Sequence, residues 1–148
     1  MSFVPAGEQI RTHTATGPRA GFWQRLFADI IDSIIIAIAY LILSQILYTA
    51  GTLLWALIGI AYFTYLEGGP RGQTVGKSAM QIRVVSLDDG QPLGYQRALG
   101  RDLARILSAI PFYLGYLWML WSRERQTWHD TLSRAVVVPI AAYPLPSR

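Results

Sequence analysis

Cysteine is absent from this 148-residue sequence, which excludes disulfides, iron–sulfur clusters and thiolate metal sites. Histidine is nearly absent: His13 and His129 are too few for a metal centre built on imidazole. No dense run of Lys or Arg with interleaved aromatics occurs, so nothing marks a nucleic-acid surface despite a formal net charge of +4. Charge of either sign disappears over residues 33–66, 34 positions in a row between Asp32 and Glu67.

That uncharged run decides the fold class. As one straight helix it would be about 51 Å long, against a bilayer core of about 30 Å. Thr49-Ala50-Gly51-Thr52 near its middle supplies turn residues. The run therefore predicts a membrane hairpin, one span ending near Tyr48 and a second near Leu66. A buried helix pair of a soluble domain would show a polar face, and neither segment has that periodicity. A cleaved signal peptide would place a shorter apolar core closer to the start. Basic residues occur before the first span (Arg11, Arg19, Arg25) and between the second span and residue 105 (Arg71, Lys77, Arg83, Arg97, Arg101, Arg105), with none in the turn. Lys and Arg collect on the cytoplasmic side, so the N-terminus and residues 67–102 are expected there, in a bacterial plasma membrane. Trp23 and Trp121 suit interfacial positions near span ends.

The fold expected is an all-α membrane protein with short cytoplasmic β-strands. Residues 1–20 read as a flexible cytoplasmic arm, with His13 solvated, and a helix should begin around Gly21–Phe22. Residues 67–72 form a loop by composition. Met80, Ile82 and Val84 alternate with Gln81 and Arg83, a strand pattern. Asp88-Asp89-Gly90 signals a turn, after which residues 91–95 are expected to return as a short strand. From Gln96 a helix places Arg97, Arg101 and Arg105 on one face and Leu99, Leu103, Ile106, Leu107 and Ile110 on another. This is the pattern of a basic interfacial helix, its charged side toward headgroups. A third apolar segment, residues 106–121, contains Pro111 and Gly115. Crossing as a third span and re-entering are both open to it. Arg123, Arg125 and Arg134 beyond it favour re-entry and a cytoplasmic C-terminal part. Residues 134–139 are a strand candidate able to pair with residues 81–85.

Arg25, Asp29 and Asp32 form a stripe on the first helix at spacings of four and three. An acid inside a span costs roughly 2.5–3.5 kcal/mol at the bilayer centre and is by default a functional candidate. It must face protein or water and pair with a cation; Arg25, Arg101 and Arg105 are available. Residues 72–78 resemble a phosphate loop only superficially. The first glycine of such a loop would fall on Arg71, and a span precedes instead of a strand. Nucleotide binding is therefore excluded, and Gly76 and Lys77 are expected at a juxtamembrane turn, Lys77 at headgroup level. His129-Asp130 is expected to fix a cytoplasmic turn. No nucleophile arrangement occurs, so no catalytic, cofactor or metal-binding residue is expected.

Taken in order, these pieces resemble the RDD family of membrane proteins. Arg25, Ala28 and Asp32 are similar to its first helix. Gly72-Gln73-Thr74-Val75-Gly76-Lys77 followed by Ile82 to Val85 is similar to its juxtamembrane motif, and residues 97–105 to its basic helix. Arg125-Gln126-Thr127-Trp128-His129-Asp130 with Val136-Val137 resembles its C-terminal signature. The resemblance implies that Arg25, Asp32 and Asp130 are the name-giving trio, and that residues 21–139 form one membrane domain, with 140–148 a tail. Arg134-Ala135 departs from the Gly-Thr common at that point of the family. Transport has been proposed for some members.

Two functions follow as expectations. One is transport of a small cation or polar solute, with Asp32 titrating; two or three spans cannot enclose a path alone, so this requires a homo-oligomer. The other is an accessory or assembly factor docking another membrane protein through the Arg25/Asp32 stripe and the Asp130 region.

Overall fold

The computed structural model describes residues 15, 17–46, 51–109 and 114–144. The molecule is mostly helical. Helix α1 (Phe22–Ile46) opens where the sequence places it. At 25 residues it is about 37 Å long. Among the described residues it alone is long and apolar enough to cross a membrane, and only 17% of that apolar stretch is buried within the molecule. A core helix of a soluble protein would be covered; Ile34, Ile38, Leu41 and Ile42 instead point outward. Helix α2 (Gly51–Gly68) runs back along α1, with Tyr40 against Trp55 at 5.3 Å and Tyr62 reaching Asp32. Residues 47–50, which include half of the expected turn, lie outside the described residues.

Beyond α2 come α3 (Val75–Ala79), β1 (Ile82–Ser86), α4 (Tyr95–Ala109), α5 (Leu114–Leu117) with a 3-10 turn at Trp118–Leu120, α6 (Trp128–Ser133) and β2 (Ala135–Pro139). The strands pair antiparallel, from Ile82 opposite Pro139 to Ser86 opposite Ala135. Strand alternation buries both faces. Ile82, Val84, Ala135 and Val137 pack with Ala28 and Ala98, while Val85, Val136 and Val138 pack under Ala15, Leu87 and Tyr143.

The two halves of the chain repeat one unit. Gln73-Thr74 and Gln126-Thr127 each follow a residue at positive φ, Gly72 at 60° and Arg125 at 49°. Each glutamine amide donates to the carbonyl of the first strand residue, Gln73 to Ile82 at 2.8 Å and Gln126 to Ala135 at 2.7 Å. Each threonine is an extended N-cap (ψ 172° and 171°), and a residue at positive φ stands between each short helix and its strand, Gln81 or Arg134. The ladder register centres on Val84 opposite Val137, so a local two-fold axis passes between them. Helices α1 and α4 correspond as well: Gln24-Arg25 in one and Gln96-Arg97 in the other, with Asp29 and Arg101 at the same step.

Several expectations need correction. Residues 91–94 form no strand; Gly90 at φ 68° closes a turn in which the Gln91 carbonyl accepts from Ser86, and α4 begins directly at Tyr95. The end of the supposed arm is docked: Ala20 N–H donates to Val137 at 2.9 Å, and Arg19 pairs with Glu124. The start of the tail is docked too, with Arg83 donating to the Pro144 carbonyl at 2.8 Å. Helix α4 is turned over: Arg101 is buried while Leu99, Leu103 and Ile106 are exposed. Arg101 and Arg105 face acids inside the molecule, while Arg97, partly exposed, donates to the Ser133 and Arg134 carbonyls. After residues 110–113, which include Pro111 and lie outside the described residues, α5 and its 3-10 turn lie against the first turns of α1 and against α6, Tyr116 touching His129 at 5.0 Å.

Candidate functional site

The charged residues converge at one end of the α1–α2 pair. Glu67, on the last turn of α2, is fully buried and is the hub. Lys77 of α3 stands 2.8 Å from it, Arg105 of α4 3.2 Å, and Arg101 in direct hydrogen-bonding contact. Arg101 continues to Asp130 of α6 at 2.6 Å, and Asp130 in turn pairs with Arg25 of α1. Lys77 lies 3.6 Å from Asp29. Charges from five helices thus neutralise one another away from water. Pairing of this kind is needed because an isolated buried ion is penalised by several kcal/mol.

Asp32 stands apart from this chain of ions. It accepts from Tyr62 Oη at 2.8 Å, Thr74 Oγ1 at 2.5 Å and the Gly76 N–H at 2.7 Å. The expected pairing of Asp32 with Arg25, Arg101 or Arg105 is therefore corrected: its partners are two hydroxyls and an amide. Asp32 grips the cap of α3 and ties α1 to α3. Gly76 makes this approach possible, since a Cβ there would sit 2.0 Å from the Ala28 carbonyl oxygen. Lys77 is likewise buried in the cluster, its ammonium on Glu67. In the second unit the place of Gly76 is taken by His129, whose Nε2 lies 2.9 Å from Thr127 Oγ1, and Asp130 accepts from the Thr127 N–H at 3.2 Å, fixing the turn before α6.

A family model described as the RDD family matches residues 19–134. The chain belongs to the RDD family. RDD proteins are membrane-associated, and the long apolar α1 accords with that. Among relatives, proline-rich antigen homologues of Mycobacterium tuberculosis are 39% identical over 85 residues, 55% of this chain and 35% of theirs. The proline-rich antigen of Mycobacterium leprae is 34% identical over 87 residues, 57% of this chain and 35% of its own. The chain thus spans about a third of the length of these relatives. The uncharacterized protein YxaI of Bacillus subtilis is 29% identical over 80% of this chain and 96% of its own length. No solved structure matches.

Of the three residues that the resemblance singles out, Arg25 and Asp130 meet directly, while Asp32 serves a separate joint. Glu67 and Asp102 escaped the sequence reading. Glu67 ended an apolar run beside Gly68-Gly69-Pro70 and read as loop. Asp102 stands in the sequence among arginines, with no pattern that sets it apart. It is buried, one oxygen accepting from Thr64 Oγ1 at 2.7 Å; the other has no hydrogen-bond partner and lies 3.7 Å from Arg105. Burial, helped by the charge of Glu67 and opposed by Arg105, pushes the Asp102 carboxyl up to about 6. Burial would raise Asp130 too, but Arg25 and Arg101 beside it hold it well below the usual carboxylate range. Burial drives His129 well below the usual imidazole value. Among the described residues no group of His, Asp and Glu is arranged to hold a metal ion.

These shifts set opposing pH dependences. His129 stays neutral in the fold but takes a proton near pH 6.5 when unfolded, so acidification below that value removes stability. Asp102 acts oppositely between its unfolded value near 4 and its folded value near 6, where the folded state holds the extra proton. Asp130 contributes stability above its unfolded value near 4 and loses it as pH falls toward its depressed folded value. Asp102→Asn is therefore expected to make the melting temperature fall more steeply from pH 6.5 to 4 than in the parent chain. Parallel curves from melts in detergent across that range would contradict the Asp102 assignment.

Proposed function

We propose that this chain is an integral membrane module that, as a homo-oligomer, moves a small cation or polar solute in exchange with protons. In this reading α1 and α2 cross the bacterial plasma membrane with the N-terminus cytoplasmic. The third apolar segment, residues 106–121, re-enters on the same side as the strands. The inside-out character of α4, arginine inward and leucine outward, suits a lipid surrounding.

The observation that carries the proposal is Asp102: a buried carboxyl, pushed up to about 6 by burial, whose second oxygen has no hydrogen bond and lies 3.7 Å from Arg105 at the edge of the cluster. Asp32, with three donors on it, suits an anchor better than a proton carrier. Asp102→Asn is expected to abolish proton-linked flux in reconstituted vesicles while the protein still folds. Asp32→Asn is expected to lower the melting temperature while leaving flux per folded molecule. Undiminished flux in Asp102→Asn would remove the proton role.

An accessory role is the alternative, and the outward-facing Trp118, Leu120 and Trp121 are the surface that favours it. Arg25, Asp32 and Asp130 are consumed within the chain, so docking through them is disfavoured. The mass of the complex gently extracted from native membranes separates the two readings. A homo-oligomer supports transport; one copy bound to a different membrane protein supports the accessory role.

A further inference from the structure

The duplicated unit contains one joint that the two halves make differently. In the second half Arg101 of α4 meets Asp130 of α6 at 2.6 Å, and both are buried. The equivalent residues of the first half, Asp29 of α1 and Lys77 of α3, carry the opposite signs and stand 3.6 Å apart. Lys77 is held by Glu67 at 2.8 Å, so Asp29 is its second, more distant acid. The Asp29 side chain is 34% exposed, against 0% for Asp130 and 1% for Arg101. It lines a cavity of about 390 Å³ between α1 and the 116–119 segment, walled by Leu26, Ile30, Leu117 and Met119. That volume lies in the range of small-molecule sites, which combine apolar walls with a few polar groups.

We propose that this cavity binds an ammonium group carrying an apolar body, the nitrogen on Asp29 and the hydrocarbon between α1 and α5. The sign follows from the charges already committed. Arg25, also in the wall, has its guanidinium on Asp130 and on the Arg125 carbonyl, 2.8 Å away. Lys77 keeps Glu67 when Asp29 turns to a ligand. The acid is thus the group with charge to offer, and bare metal ions leave the apolar walls unused. Such an ammonium is carried by a free organic amine or by an aminated lipid headgroup. The site does not depend on transport: binding is read directly, whether or not the protein moves its ligand.

The test uses the full chain in dodecyl maltoside micelles, with 4-phenylbutylamine as probe and 4-phenylbutanol as its uncharged counterpart. Calorimetric titration at pH 7 is expected to show saturable binding of the amine, at least tenfold weaker binding of the alcohol, and a loss of at least tenfold for the amine in Asp29→Asn. Ile30→Trp, which fills the cavity and leaves the acid in place, is expected to abolish binding. Equal binding of amine and alcohol, or an amine affinity untouched by both substitutions, would overturn the proposal. Competition by added phosphatidylethanolamine, with phosphatidylglycerol inert, assigns the site to a lipid headgroup. Unchanged amine binding in the presence of both lipids assigns it to a free amine.

Discussion

Glu67→Ala is expected to be the most damaging single substitution in this chain. It removes one carboxylate and leaves Lys77, Arg101 and Arg105 facing one another in a space that excludes water. Breaking a buried pair by deleting one partner costs about 3–5 kcal/mol, and here three cations lose their shared acid at once, keeping only Asp29, Asp130 and Asp102. Marginal stabilities are on the order of 5–15 kcal/mol, so the expected result is failure to recover monodisperse folded protein, or a melting temperature lowered by tens of degrees. Glu67→Gln keeps the shape and some hydrogen bonds and should fall between the parent and the alanine variant. A Glu67→Ala protein that melts within a few degrees of the parent would mean that water or anions reach the cluster.

Gly76→Ala is expected to come next. The added methyl would lie 2.0 Å from the Ala28 carbonyl oxygen and 2.9 Å from Asp32 Cγ. The first of these is backbone and cannot rotate aside, so α3 must lift from α1, loosening the Gly76 N–H and Thr74 hydrogen bonds to Asp32. Overpacking costs typically 1–3 kcal/mol, and the lost bonds to a charged acceptor add about 1.5–3 kcal/mol each. Gly59→Ala is the matched control. It lies inside α2 with nothing within 4 Å of an added Cβ, and should be neutral or stabilising by up to about 1 kcal/mol. Melts of both variants in one detergent test the contrast; equal effects would remove the close approach as the reason for glycine at 76.

What the sequence made legible were features written in consecutive residues. The start of α1 followed from the apolar run, and the strands from alternation at 82–85 and the valines at 136–138. Their pairing then followed from a shared side of the membrane. Less legible was anything decided by distant partners. The helical spacing gave α4 two faces but not which one turns inward, because that is decided by Glu67 and Asp130, acids from distant elements. Five residues are too few for a periodicity, so α3 went unseen; it is fixed by Thr74 and by a carboxylate from α1. The stripe Arg25, Asp29 and Asp32 was visible as a stripe, yet its members go to three different destinations: Asp130, Lys77 and the α3 cap. The duplication was hidden because the halves share turn geometry and polarity more than residue identity.

The separation of Arg25 from Asp130 bears on biosynthesis. Helix α1 leaves the ribosome first, and its Asp32 finds an N-cap within the next half-length of chain. Arg25 finds its acid only when α6 has been made. Until then the guanidinium lacks its acid, and the sheet lacks its second strand. A nascent chain halted before residue 127 would carry Asp32 already anchored and Arg25 still uncompensated. Synthesis of residues 127–139 is thus the event that seals the ion cluster, and quality control of a stalled product has an exposed cation to read.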